Sequence, residues 1–240
     1  MASILNADTS NGLKITSDTS GELKIQSAGA DIATVSSTGI AMAAGKTLPA
    51  AALTGTLPAL DGSALTGINA GQVLEYITGV CDGTSVTTPY GSYTLTDVTA
   101  RQTLTASYAV VDGSSITYTP PANTKKVIYR FSFITGYTSG LSIGHFNFYI
   151  DSDEVTRARF SNSAQYVQDI VNFEWVIDVG NSTDTTTGRL TSWTTNKTLQ
   201  MRARYYSPTT VAFLNETTNW DGVGPSSVLH KPTLTIIAIG

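Results

Sequence analysis

The chain has 240 residues, room for one large domain or two small ones, with 13% charged residues and a formal charge of −4. At 41% hydrophobic residues it holds too much apolar material for a disordered chain, whose signature is low hydrophobicity with high net charge. No basic stripe is present to neutralise a phosphate backbone, and no stretch approaches the roughly 18 apolar residues of a membrane span, so nucleic-acid binding and membrane insertion are not expected.

Charge and aromatic content divide unevenly. Residues 1–75 contain no Phe, Tyr or Trp, and every aromatic lies at or after Tyr76. That segment carries Lys14, Lys24 and Lys46 against Asp8, Asp18, Glu22, Asp31, Asp61 and Glu75, a net −3, leaving 11 basic and 12 acidic residues for the rest. Aromatic side chains each bury about 150–250 Å² and dominate most cores. A long segment without them stays disordered or completes its core with other chains. The N-terminus lacks a charged region followed by an apolar one, so no signal peptide is expected and assembly in a cytoplasm is.

In chain order, Gly12-Leu13-Lys14-Ile15 returns as Gly21-Glu22-Leu23-Lys24-Ile25, with looser echoes at Asp31–Val35 and Gly39–Met42. Each unit reads as a short alternating strand bounded by turn residues. Such strands cannot bury an apolar side alone and must stack or associate. Residues 1–47 are therefore read as a β-repeat stalk, with Leu13, Ile15, Leu23 and Ile25 on an axis shared between copies. Residues 48–75 form a Leu/Pro/Ala/Gly-rich neck. It is either a flexible linker or a continuation of that axis through Leu53, Leu57, Leu60 and Leu65; the regular Leu spacing favours the second, because an exposed Leu row aggregates.

Residues 76–240 read as a β-sandwich head. Val127, Tyr129, Phe131 and Phe133 alternate with polar or smaller neighbours, as do Phe146, Phe148 and Ile150. The same period of two runs through Val171, Phe173, Trp175, Ile177 and Val179, and through Leu199, Met201, Ala203 and Tyr205. It marks half-buried antiparallel strands, and about eight of them fit a two-sheet jelly roll or a related sandwich. The last segment, Pro232–Gly240, is apolar on both faces. With Ile236, Ile237 and Ile239 it is expected at a subunit interface near the symmetry axis.

Chemistry-bearing residues are sparse. Cys81 stands alone, so it forms no intrachain disulfide and reads as an inert thiol. His145 and His230 are the only histidines, and no catalytic group, metal or cofactor is expected. Asp151-Ser152-Asp153-Glu154 fits a Ca²⁺ cluster or a hairpin turn; it lacks the glycine and distal Glu of an EF-hand loop, which favours the turn. Glu174 and Asp178, four apart on one strand, would stand about 13 Å from each other. That is beyond the roughly 5–9.5 Å separation that glycoside hydrolysis uses. Trp193, Trp220, Tyr205, Tyr206 and Tyr137 lie in or near expected loops beside Asn, Asp and Thr. They are candidate glycan contacts, or else fill the ends of the core.

The Leu-Lys-Ile repeats, Leu57-Pro58-Ala59-Leu60-Asp61-Gly62-Ser63-Ala64-Leu65-Thr66-Gly67 and Gly71-Gln72-Val73-Leu74 resemble the stalks of tailed-bacteriophage fibre proteins, those of marine and cyanobacterial phages above all. Ile116-Thr117-Tyr118-Thr119-Pro120-Pro121-Ala122-Asn123-Thr124-Lys125-Lys126-Val127-Ile128-Tyr129 resembles the jelly-roll-like C-terminal domains of such proteins. The resemblance implies a homotrimeric virion protein held to a tail, baseplate or capsid protein by its N-terminal part and displaying its head, with a host-surface glycan as the further partner. The chain is short for a long tail fibre, so a capsid-decorating or head-fibre protein is the alternative. A polysaccharide depolymerase, the third class, would need the paired acids and long β-helix that this sequence lacks.

Overall fold

The computed structural model describes residues 22–37, 39–46, 71–137, 141–165, 168–218 and 227–240. They contain no helix, and every sheet is antiparallel. The chain separates into two compact units, residues 1–65 and 66–240. Leu13, Ile15, Leu53, Leu57, Leu60 and Leu65 lie outside the described residues.

In the first unit, β1 (Leu23–Ser27), β2 (Ala30–Ser36) and β3 (Gly39–Met42) form a three-stranded meander in the order β1-β2-β3. The first turn, Ala28-Gly29, has φ of 51° and 76°. Two successive positive φ values make the primed turn whose twist matches that of the flanking strands. Leu23 lies opposite Val35 and Ile25 opposite Ala33, while Ala33 pairs with Met42 and Val35 with Ile40. The alternation therefore places all six of these side chains on one face. A register shift between Ile25 and Gln26 sets Asp31 opposite Gln26; Lys24 is bridged to Asp31 at 3.3 Å and the Gln26 amide donates to the same carboxylate at 2.6 Å.

The head is a sandwich of two sheets. The first holds β4 (Val73–Val80), β18 (Thr233–Ile239), β10 (Lys126–Tyr137), β15 (Ala212–Leu214), β7 (Gln102–Thr103) and β13 (Asp169–Asp178). The second holds β12 (Asp153–Gln165), β11 (Leu141–Ile150), β14 (Lys197–Tyr205), β8 (Ala109–Val110) and β9 (Ile116–Tyr118). Two small hairpins complete it: β5 (Ser85–Thr88) with β6 (Gly91–Thr94), and β16 (Glu216–Thr218) with β17 (Ser227–Leu229).

The alternating aromatics meet between the sheets. The Tyr129 and Phe148 rings are 4.8 Å apart, Phe131 stacks on Phe133 at 5.2 Å, and Phe133 meets Phe146 at 5.4 Å. All five are buried. Full burial of each such side chain is worth about 1.5–3 kcal/mol, which makes this layer the main source of the head's stability. The Tyr129 hydroxyl is satisfied by donating to the Ser114 carbonyl at 2.6 Å.

The final strand corrects one expectation. β18 is an inner strand, flanked by β4 and β10. Ile236 is fully buried in the core of its own chain, and Ile237 and Ile239 lie half-buried on the opposite face. Its inner face is covered by its own chain, so the burial of Ile236 needs no second copy, while Ile237 and Ile239 stay partly open on the outer face. Strand β4 also begins before the first aromatic, and Gly71 and Gly240 are tied by an N–H to carbonyl bond of 2.7 Å that joins the start of the head to its end.

Candidate functional site

Two depressions lie against strand β13, one edge of which is free. It pairs only with β10, and its outward side chains form rows across the sheet. One row runs Asn172, Ser132, Thr233; the next runs Glu174, Arg130, Thr235, Thr78. The Ser132 hydroxyl donates to Asn172 Oδ1 at 2.8 Å, and Arg130 forms an ion pair with Glu174. Thr78 and Thr235 share a hydroxyl bond of 2.7 Å. A depression of about 260 Å³ lies on this polar surface.

A wider cleft of about 400 Å³ opens on the other side of β13, against β12, and shares Asn172 and Glu174 with the first. Its floor includes Val171 and Phe173 of the core; Phe160 and Trp175 form apolar walls. Phe160 is stacked between Phe146, at 4.9 Å, and Phe173, at 5.7 Å. The Trp175 indole N–H donates to the Thr187 carbonyl at 3.0 Å, which fixes that ring.

A large β-bulge shapes the β12 wall. Phe146 pairs with Phe160 and Phe148 with Val155, so Asn147 alone stands opposite residues 156–159 and β12 carries three extra residues. Bulges re-aim side chains at sheet edges. Here the bulge brings Arg157 and Arg159 to the cleft. Arg159 makes a bidentate pair with Glu154, at 2.6 and 2.8 Å, and the Asn147 amide donates to the same carboxylate at 2.6 Å. The guanidinium of Arg159 holds the Glu154 carboxyl below its ordinary value, against a smaller opposing effect of burial.

The expected contact residues fall elsewhere. Trp193 is a core residue, 5% exposed, edge-on to Tyr118 at 5.8 Å and donating to the Tyr118 carbonyl at 3.3 Å. Of the two roles the sequence offers for it, glycan contact or core filling, an indole this buried has the second. Tyr205 is half-buried against the core, whereas Tyr206 is exposed and meets His145 edge-on at 5.6 Å. Trp220 and the side chain of Tyr137 lie outside the described part of the chain.

His145 Nδ1 and the Ser161 hydroxyl are 2.7 Å apart, a pair of the kind that activates a nucleophile. Among the described residues no carboxylate bonds to this ring, and its cross-strand neighbour is Arg204. Burial, and then the Arg204 charge, push its pKa below the ordinary imidazole value. The Asp151-Ser152 dipeptide makes the β11–β12 hairpin turn, with Asp151 at φ 56°. Its carboxylate accepts from Lys197 Nζ at 2.9 Å and the Thr198 N–H at 2.8 Å. Burial pushes that carboxyl up, but these two donors outweigh it and hold it below its ordinary value.

No protein-family model matches this chain, and no curated protein sequence does. Two solved structures of infectious bursal disease virus are similar to it at low levels. For the Gx strain the identity is 13% over 77% of this chain and 41% of that one, with a TM-score of 0.32. For the Gt strain it is 10% over 67% and 44%, with a TM-score of 0.23. Both TM-scores fall below the level that marks a shared fold, and this chain spans less than half the length of either protein.

Proposed function

We propose that the chain is a structural protein of a virus particle: a homotrimeric fibre whose N-terminal part attaches to a tail, baseplate or capsid protein and whose sandwich head faces the host surface. The observation that carries this reading is the open apolar face of the meander. Leu23, Ile25 and Ile40 are 42%, 49% and 72% exposed in the single chain, and Ala33 is the one described residue of those strands that is buried. Three short strands with an uncovered apolar face are marginal alone. Copies of the same chain supply the missing wall.

On the head, the row Tyr76, Ile237, Ile128 and Val176 crosses four strands of the outer sheet surface, with Tyr76 and Val176 exposed. This row also favours a second copy as neighbour. The His145–Ser161 pair without a carboxylate, and the engagement of Glu174 by Arg130, support a binding rather than a hydrolytic head. A capsid-decorating or head-fibre protein, held by the same assembled meander, is the second reading.

Light scattering gives the test of assembly: a mass of three chains is expected, and a monodisperse monomer with an ordered meander rejects the fibre. Cryo-electron microscopy of the particle then separates the readings, because density on capsid threefold positions rules out a tail fibre. Release of reducing ends from host polysaccharide would overturn the non-enzymatic reading.

A further inference from the structure

The geometry points to the β12–β13 cleft as a binding site for an acidic saccharide, with the ligand carboxylate on Arg157 and its hydroxyl groups on Asn162 and Asn172. This rests on the reading of the head as a displayed binding module.

Three features build the site. Its volume, about 400 Å³, lies within the range of small-molecule sites, and its mouth is open to solvent. Its amides are aimed: the Thr135 hydroxyl donates to Asn162 Oδ1 at 2.8 Å, and Ser132 to Asn172 Oδ1, also at 2.8 Å. With both oxygens tied down from β10, each NH₂ group is left as an oriented donor. The charges leave one cation over. Arg159 is neutralised by Glu154 and Arg130 by Glu174, while Arg157 has no carboxylate partner among the described residues. One unmatched guanidinium among neutral donors selects a ligand with one carboxylate and many hydroxyls, and a carboxylate matches the guanidinium fork.

The adjoining depression extends the same chemistry with Ser132, Thr233 and Thr235. All these residues stand on strands, which hold a site more rigidly than loops do. An added peptide strand fits less well. The β12 edge is broken by its bulge and its Arg157 N–H is taken by the Thr186 carbonyl, while the far end of β13 is already bridged to Leu190.

The test is calorimetric titration of the full chain with tri-galacturonate, sialyllactose and neutral maltotriose. At least one acidic sugar is expected to bind ten or more times tighter than maltotriose, with a margin that shrinks as salt is raised. Arg157→Gln should erase that margin, and Asn172→Asp should weaken acidic-sugar binding at least tenfold. Arg101→Gln, on the distant ion pair with Glu216, should change nothing. Failure of both acidic sugars to bind, or unchanged binding by Arg157→Gln, overturns the site. So does binding of a Glu-rich peptide that protects the amides of residues 170–176 from hydrogen exchange when no sugar binds. A wild-type chain and an Arg157→Gln chain that block particle adsorption equally would sink this site yet leave the displayed head standing; a chain absent from the particle surface would sink the reading itself.

Discussion

The Tyr118 hydroxyl donates to the Glu75 carboxylate at 2.8 Å, with both side chains shut inside the head. Thr88 donates to the other carboxylate oxygen. Burial of the Tyr93 phenol, together with Glu75 beside it, pushes that phenol up to about 12. A carboxylate and several hydroxyls thus form a polar cluster where β4, the β5–β6 hairpin and β9 converge.

Removing the acceptor strands the donors. Glu75→Ala is expected to destabilise the head by about 1–3 kcal/mol for each buried donor left unpaired. Glu75→Gln keeps an acceptor and should lose less. Urea unfolding followed by tryptophan fluorescence measures both, since Trp175 and Trp193 lie in the head. Equal stability of Glu75→Ala and wild type would contradict the cluster's structural role.

Cys81 is fully buried, its thiol donating to the Gly113 carbonyl at 3.3 Å, and burial, then the charge of Asp82, raise its pKa from 9.0 to about 12. The thiol should resist alkylation at pH 8 in the native chain and react fully in denaturant. Because the folded pKa is raised, the thiol's contribution to stability is complete below pH 9.0. It declines as pH rises toward about 12, where the unfolded chain has released a proton that the folded chain still holds. Cys81→Ser should flatten this alkaline slope in a pH series of unfolding curves.

Gly113 has φ of 87°, and a Cβ there would meet Pro232 at 2.8 Å and Val98 at 3.0 Å. Gly113→Ala combines left-handed strain with overpacking, and a loss of about 1–3 kcal/mol is expected. Gly180, at φ 100° with open space around it, has only the strain. Gly180→Ala should therefore cost less in the same assay.

Leu23→Asp places a charge on the open apolar face of the meander, where assembly would bury it. The expected result is loss of the trimer by light scattering with the head's near-UV circular dichroism unchanged. An unaltered trimer melting point would show that Leu23 faces solvent in the assembly.

The strands of the head were legible because their signal is local. Val127 to Phe133 and Val171 to Val179 alternate with period two, and the structure pairs them with Phe131 opposite Phe173. A hairpin turn within Asp151-Ser152-Asp153-Glu154 was legible for the same reason, since Asp tolerates positive φ and finds nearby donors; the structure confines it to Asp151-Ser152. Trp193 stayed open between a glycan contact and a core filling, because its neighbours Ser192 and Thr194 look like a loop; its burial depends on the approach of Tyr118, 75 residues away. The bulge in β12 was invisible, because its three extra residues exist only relative to β11.

By itself the sequence determined an all-β chain, the absence of aromatics before Tyr76, and the apolar spacing of the repeats, all carried by side-chain period and composition along a short stretch. Tertiary structure alone decided that β18 runs between β4 and β10, that Arg157 ends at a cleft beside Asn162 and Asn172, and that Glu75 is buried among hydroxyls. Each of these depends on which distant strands become neighbours. Strand pairing is set by the closure of a whole core, and no local pattern encodes it.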